Sequence, residues 1–117
     1  MQQTLSKEER ICGRQAVSTL MEKGKWGNCG CIRYCCLSPS GAAFPRIMVS
    51  VPKKNFKRAV KRNLLKRRIR ESYRTSKELL EGKAPADILF YYNTREILPY
   101  DEIRDCIRRI LTDNIPQ

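Results

Sequence analysis

The chain has 117 residues, with 24 Lys and Arg against 12 Asp and Glu and no histidine, giving a net charge of +12. That length predicts one domain, residues 1–117, with one modest core. The composition excludes His-based triads and bases, no phosphate-binding glycine motif is present, and no apolar run approaches the roughly 18 residues of a membrane helix. The excess of cations predicts a polyanionic partner, either a nucleic acid or an anionic membrane. The opening MQQTLSKEER lacks the apolar core of a signal peptide, so a cytoplasmic protein is expected.

In chain order, Ser6 and Glu9 match the S-x-x-E capping box. From about Gly13 to Lys23, Ala16, Val17, Leu20 and Met21 recur at helical spacing and predict a short amphipathic helix. Lys23 suits its last turn and Gly24 its C-terminal cap. Cys29 to Ser38 reads as a strand containing Ile32 and Tyr34. Ser38-Pro39-Ser40-Gly41 is turn chemistry. Arg46 to Val51 alternates through Ile47, Val49 and Val51 and is a second strand, ended by Pro52. These two strands are expected to pair antiparallel.

The stretch from Lys53 to Arg74, KKNFKRAVKRNLLKRRIRESYR, holds eleven of the 24 cations and one acid, Glu71. After a short loop over 53–57, a helix from Arg62 would align Arg62, Lys66 and Arg70 in one row. Asn63, Arg67 and Arg74 lie beside it, all within roughly 140° of arc. Leu65 and Ile69 face away as a core seam with Tyr73 at its edge, and Arg68 falls near that seam and must snorkel. Like charges on a helix repel by a few tenths of a kcal/mol per pair. A row with so few acids therefore implies many phosphates as its complement.

Glu81-Gly82 should stop this helix after Leu80. Asp87 to Asn93, DILFYYN, is bulky throughout and predicts a strand covered on both faces. Pro99 starts a last helix in which Ile103, Cys106, Ile107, Ile110 and Leu111 form a core stripe. Arg104, Arg108 and Arg109 face outward, and residues 114–117 are a frayed tail. The order helix, strand, strand, helix, strand, helix gives an α+β fold. It is a two-layer α/β sandwich with helices packed on one small, mostly antiparallel sheet.

The six cysteines stand at 12, 29, 31, 35, 36 and 106. Without a secretion signal they are expected as reduced, small buried hydrophobes, and Cys29, Cys31 and Cys35 share strand parity. A zinc site lacks both a C-x-x-C pair and His. The acids are scattered. Asp101 and Asp105 stand four apart, but at a helix start, where Asp stabilises the dipole. Two-metal nuclease chemistry needs clustered carboxylates. The polypeptide therefore reads as a binder, with RNA-architectural and DNA-binding modules both open.

The row Arg62-Asn63-x-x-Lys66-Arg67-x-x-Arg70 resembles the signature of the bacterial ribonuclease P protein component. Val49-Ser-Val-Pro-Lys-Lys54, the Ala59-Val60 pair, the helix ending at Gly24 and the Asp87-Ile88-Leu89 strand extend that resemblance over nearly the whole chain. It implies a four-stranded sheet with three helices and a left-handed crossover through the basic helix. It also implies membership in a ribonucleoprotein endonuclease that removes the 5′ leader of precursor tRNA. The resemblance implies catalysis by the RNA subunit, with Mg²⁺ bound mainly by that RNA, none assigned to the protein alone, and no protein partner required. The implied RNA-binding residues are Arg58, Arg62, Asn63, Lys66, Arg67, Arg70 and Arg74. The implied leader cleft takes Val17, Met21, Tyr34 and Lys54, with Cys35 in place of Tyr34 if the strand register shifts by one. Val17 and Met21 stand where the family has aromatics, Leu64 stands where a basic residue is common, and the 55–58 loop lacks the usual glycine.

Overall fold

The segment that is bulky on both faces takes the interior of the sheet. The computed structural model describes residue 11 and residues 14–38, 45–83 and 85–114. The capping box, Cys12, the turn at 39–41 and residues 115–117 lie outside these. Helix α1, Arg14–Lys23, is followed by β1, Lys25–Cys29, β2, Ile32–Leu37, and β3, Arg46–Ser50. Helix α2, Ala59–Ser76, ends in a 3₁₀ turn, Lys77–Leu80. Strand β4, Asp87–Tyr92, and helix α3, Tyr100–Arg109, follow, and a π-helical turn, Ile110–Asn114, closes the chain. The strand order is β1-β2-β4-β3.

Two pairings are antiparallel and one is parallel. Tyr34 stands opposite Phe90 in the antiparallel β2–β4 ladder, and Val49 opposite Phe90 in the parallel β3–β4 ladder. The antiparallel pair expected between 29–38 and 46–51 is therefore not formed, because β4 lies between them. Helix α2 is the crossover joining the parallel neighbours β3 and β4. The expected first strand is also two elements. Gly30, at φ +56°, turns the chain, and Lys25–Cys29 pairs back on β2 as a hairpin. KWGNC sets one strand-favouring residue, Trp26, among Lys, Gly and Asn, which strands disfavour, so propensity gave little sign of β1.

Alternation along the strands divides the core in two. Ile32, Tyr34, Cys36, Ile47, Ile88, Phe90 and Tyr92 pack under α2 and α3 against Leu65, Ile69, Tyr73, Ile103, Ile107, Ile110 and Leu111. On the other face Cys35 and Leu89 pack under α1 with Leu20 and Ile11. Cys29, Cys31 and Cys35 consequently do not share a face: the turn at Gly30 breaks their parity. Arg68, at the edge of the seam, donates to the Leu98 carbonyl. Tyr92 Oη donates to the Glu96 carbonyl at 2.6 Å and accepts from the Leu98 amide at 3.1 Å. These three contacts tie the 93–99 loop to α2 and β4.

Gly24 ends α1, and its amide donates to the Leu20 carbonyl at 2.8 Å. It is not among the positive-φ glycines, so handedness does not explain it. Close approach does: a Cβ there would lie 2.5 Å from both Cys35 Sγ and the Leu20 carbonyl oxygen. Gly24→Ala should therefore lower stability by about 1–3 kcal/mol through overpacking. An unchanged denaturation midpoint would refute this account.

Candidate nucleic-acid interface

Two surfaces stand out. The first is the solvent side of α2. Leu65, Ile69 and Tyr73 are buried, which turns the opposite side of the cylinder outward. Arg58, Lys61, Asn63 and Arg67 are exposed, and Lys66 and Arg70 are half-buried. Among the described residues, the side chains of Arg58, Lys61, Asn63, Lys66 and Arg67 have no hydrogen-bond or ion-pair partner. Several cations elsewhere are neutralised: Arg104 meets Asp101 and Asp105, Arg108 meets Glu78, and Arg46 meets Asp87. The start and outer side of α2 carry four uncompensated cations close together, Arg58, Lys61, Lys66 and Arg67.

Two residues of the expected row are not simple phosphate hands. Arg62 Nη1 donates to the Phe56 and Lys57 carbonyls at 2.8 and 2.9 Å, so part of its fork is committed to the preceding loop. Arg74 is paired with Glu71 through Nε at 3.0 Å and through Nη2. That bond holds the Glu71 carboxyl below its usual range. The row therefore keeps its uncompensated charge at Arg58, Lys61, Lys66 and Arg67 and weakens at Arg62 and Arg74. The loop before it turns without glycine: the Asn55 and Phe56 amides both donate to the Pro52 carbonyl at 3.2 and 3.3 Å. No described non-glycine residue has positive φ. Phe56 is buried against Tyr92, with ring centroids 5.9 Å apart, and anchors this loop.

The second surface is the part of the α1-side sheet face that α1 leaves open. It forms a cleft of about 400 Å³ lined by Met21, Trp26, Arg33, Met48, Ser50 and Tyr91, among others. Lys54 lines it from the loop after β3. Strand parity builds it: Arg33, Tyr91 and Ser50 are cross-strand neighbours in one row. The Arg33 guanidinium lies 4.9 Å from the centre of the Trp26 ring, within cation–π range. Trp26 remains 44% exposed, a large aromatic surface left to solvent beside a cation.

Of the expected cleft residues, Met21 and Lys54 line it. Val17 is half-buried and packs into the small core under α1. Tyr34 does not belong there: it points to the opposite face and is buried in the main core. Its register alternative, Cys35, faces the α1 side, but it is fully buried and its thiol meets the Leu20 carbonyl at 3.3 Å. Trp26, Arg33 and Tyr91 were missed. The lone tryptophan lay in a segment without strand character, and Tyr91 was legible only as the odd-parity aromatic between Phe90 and Tyr92.

The cysteines behave as small apolar residues. Cys29, Cys31, Cys35, Cys36 and Cys106 are free thiols, and burial pushes Cys31 up to about 12 and Cys36 to about 11. Among the described residues, no three thiols or carboxylates converge as a metal site requires. No helix among them is long and apolar enough to cross a membrane.

A family model for ribonuclease P matches residues 4–114. The chain belongs to the ribonuclease P protein family. It is 35% identical to the ribonuclease P protein component of Porphyromonas gingivalis, over 96% of this chain and 89% of that one. The component of a Picosynechococcus strain is 34% identical, over 92% and 90%. The ribonuclease P protein of Thermotoga maritima superposes with a TM-score of 0.76 at 21% identity, over 89% of this chain and 96% of that chain. That of Staphylococcus aureus gives 0.74 at 22%, over 88% and 92%. The α+β fold, three helices on a four-stranded mixed sheet, is the fold of those structures. Membership makes this chain the protein subunit of the endoribonuclease acting in tRNA 5′ maturation, with the ribonuclease P RNA as its partner.

Proposed function

We propose that the chain is a single RNA-binding domain that grips the catalytic RNA with α2 and holds the single-stranded 5′ leader of precursor tRNA in the cleft. The observation that carries this reading is the set of cations at the start and on the outer side of α2, Arg58, Lys61, Lys66 and Arg67, whose side chains have no partner among the described residues. Arg and Lys meet phosphates there, and Asn63 can bond a 2′-hydroxyl or a base edge. In the cleft, Lys54 and Arg33 meet leader phosphates, and Trp26 and Tyr91 offer ring faces to bases, a contact worth about 1–3 kcal/mol per base. Met21 and Met48 line the groove with adaptable apolar surface. The hydrolysis belongs to the RNA in this reading. Mg²⁺ takes hard oxygen ligands, which RNA phosphates supply in abundance. The site of action is the cytoplasm, where precursor tRNA is made in a bacterium.

Reconstitution with a ribonuclease P RNA tests the proposal. The protein should raise precursor cleavage at low Mg²⁺, and the complex should bind precursor tRNA more tightly than mature tRNA. No gain in cleavage would leave an architectural RNA-binding role instead. Equal affinity for the two tRNAs would remove the leader from the cleft.

A further inference from the structure

The cleft ends at Trp26, on the outermost strand of the sheet. Strand β1 is an edge strand with nothing paired beyond it among the described residues. Around that edge, reaching the side of the sheet that carries Tyr34 and Cys36, lies a second hollow of about 380 Å³, lined also by Lys23, Lys25, Trp26 and Leu37. Trp26 is the one residue that lines both hollows, so they adjoin at this position on the edge strand. Arg33 holds the ring from one side at 4.9 Å. Lys23 and Lys25 are exposed and have no ion-pair partner among the described residues. Asp113 is the only carboxylate among the residues lining this hollow, so its charge is net positive.

We propose that this second hollow is a continuation of the single-strand path, taking leader nucleotides farther from the cleavage site than those in the cleft. The inference rests on the reading that the cleft holds a leader. A base stacks at Trp26, the backbone turns round the open edge of β1, and Lys23 and Lys25 meet the phosphates beyond. Three features favour RNA over a protein segment as the occupant. The hollow adjoins the cleft at Trp26, that residue is an exposed aromatic braced by a guanidinium, and the two lysines of the hollow outnumber its one carboxylate, Asp113.

The test uses the reconstituted holoenzyme and precursor tRNAs whose leaders are lengthened one nucleotide at a time. Trp26 is the only tryptophan in the chain, so its emission reports on the junction directly. Affinity should rise once as the cleft fills and again with longer leaders, the second rise accompanied by a change in Trp26 emission. In Lys23→Gln/Lys25→Gln that second increment, of the order of tenfold, should vanish. The salt slope for long leaders should also fall by about 0.7 for each lysine. A first rise with no second, or a second that survives the double substitution, overturns the extension and leaves the cleft reading intact. No dependence on leader even at the first nucleotides removes the cleft reading, and the extension falls with it.

Discussion

Lys66→Glu/Arg67→Glu should reduce affinity for the ribonuclease P RNA by roughly a hundredfold at physiological salt, at about 1.4 kcal/mol for each contact removed. Both side chains lack internal partners among the described residues, so their charge is available to phosphates alone. Each lost phosphate contact should flatten the log–log salt dependence by about 0.9, giving a shallower slope by about two. The fold should not suffer, because the seam of α2 is Leu65, Ile69 and Tyr73 on the other side. Filter binding across a salt series, with a thermal melt on the free protein, separates the outcomes. A lost melting transition would make the pair structural, and an unchanged slope would put the RNA elsewhere.

Arg46→Ala should have the largest effect on stability of any charged substitution away from α2. Arg46 grips Asp87 with two bonds, Nε to Oδ1 at 2.9 Å and Nη2 to Oδ2 at 2.6 Å. The Asp87 side chain is 4% exposed. Removing the guanidinium strands a buried carboxylate at the start of the central strand, at a cost of about 3–5 kcal/mol. Arg46 is itself 27% exposed, so solvent screening favours the lower end, about 3 kcal/mol. Arg46→Met/Asp87→Leu should recover most of the loss, because two apolar groups need no partner. Denaturant midpoints for the two singles and the double measure this, and singles that cost nothing would show that the pair is solvated.

The parts of this molecule written in periodicity were legible. Leu65 and Ile69 set the inner side of α2, and the Ile103-to-Leu111 stripe set that of α3, because a helix repeats locally. The central place of β4 followed from its continuous bulk. What periodicity lacks is partner choice. Nothing in 29–38 or 46–51 says that a strand sixty residues downstream in one case, and forty in the other, will separate them. The cleft was half legible for the same reason. Lys54 follows from sequence order, but Trp26 required the hairpin at Gly30, and a one-residue step sends Tyr34 to one face and Cys35 to the other. Arg62 and Arg74 read as phosphate contacts because spacing reveals direction and not competition from a nearby carbonyl or carboxylate.

The bond from Arg62 back to Phe56 and Lys57 carries a mechanical consequence. One guanidinium closes the connector after Pro52 onto the first turns of α2, and Lys54 rides on that same connector. On the proposed reading, this brace restricts how far the spacing of groove and ridge can adapt to what is bound. An RNA whose single strand departs at the wrong pitch would engage one surface and miss the other. Discrimination among substrates then begins as a matter of tolerance, before any base is read.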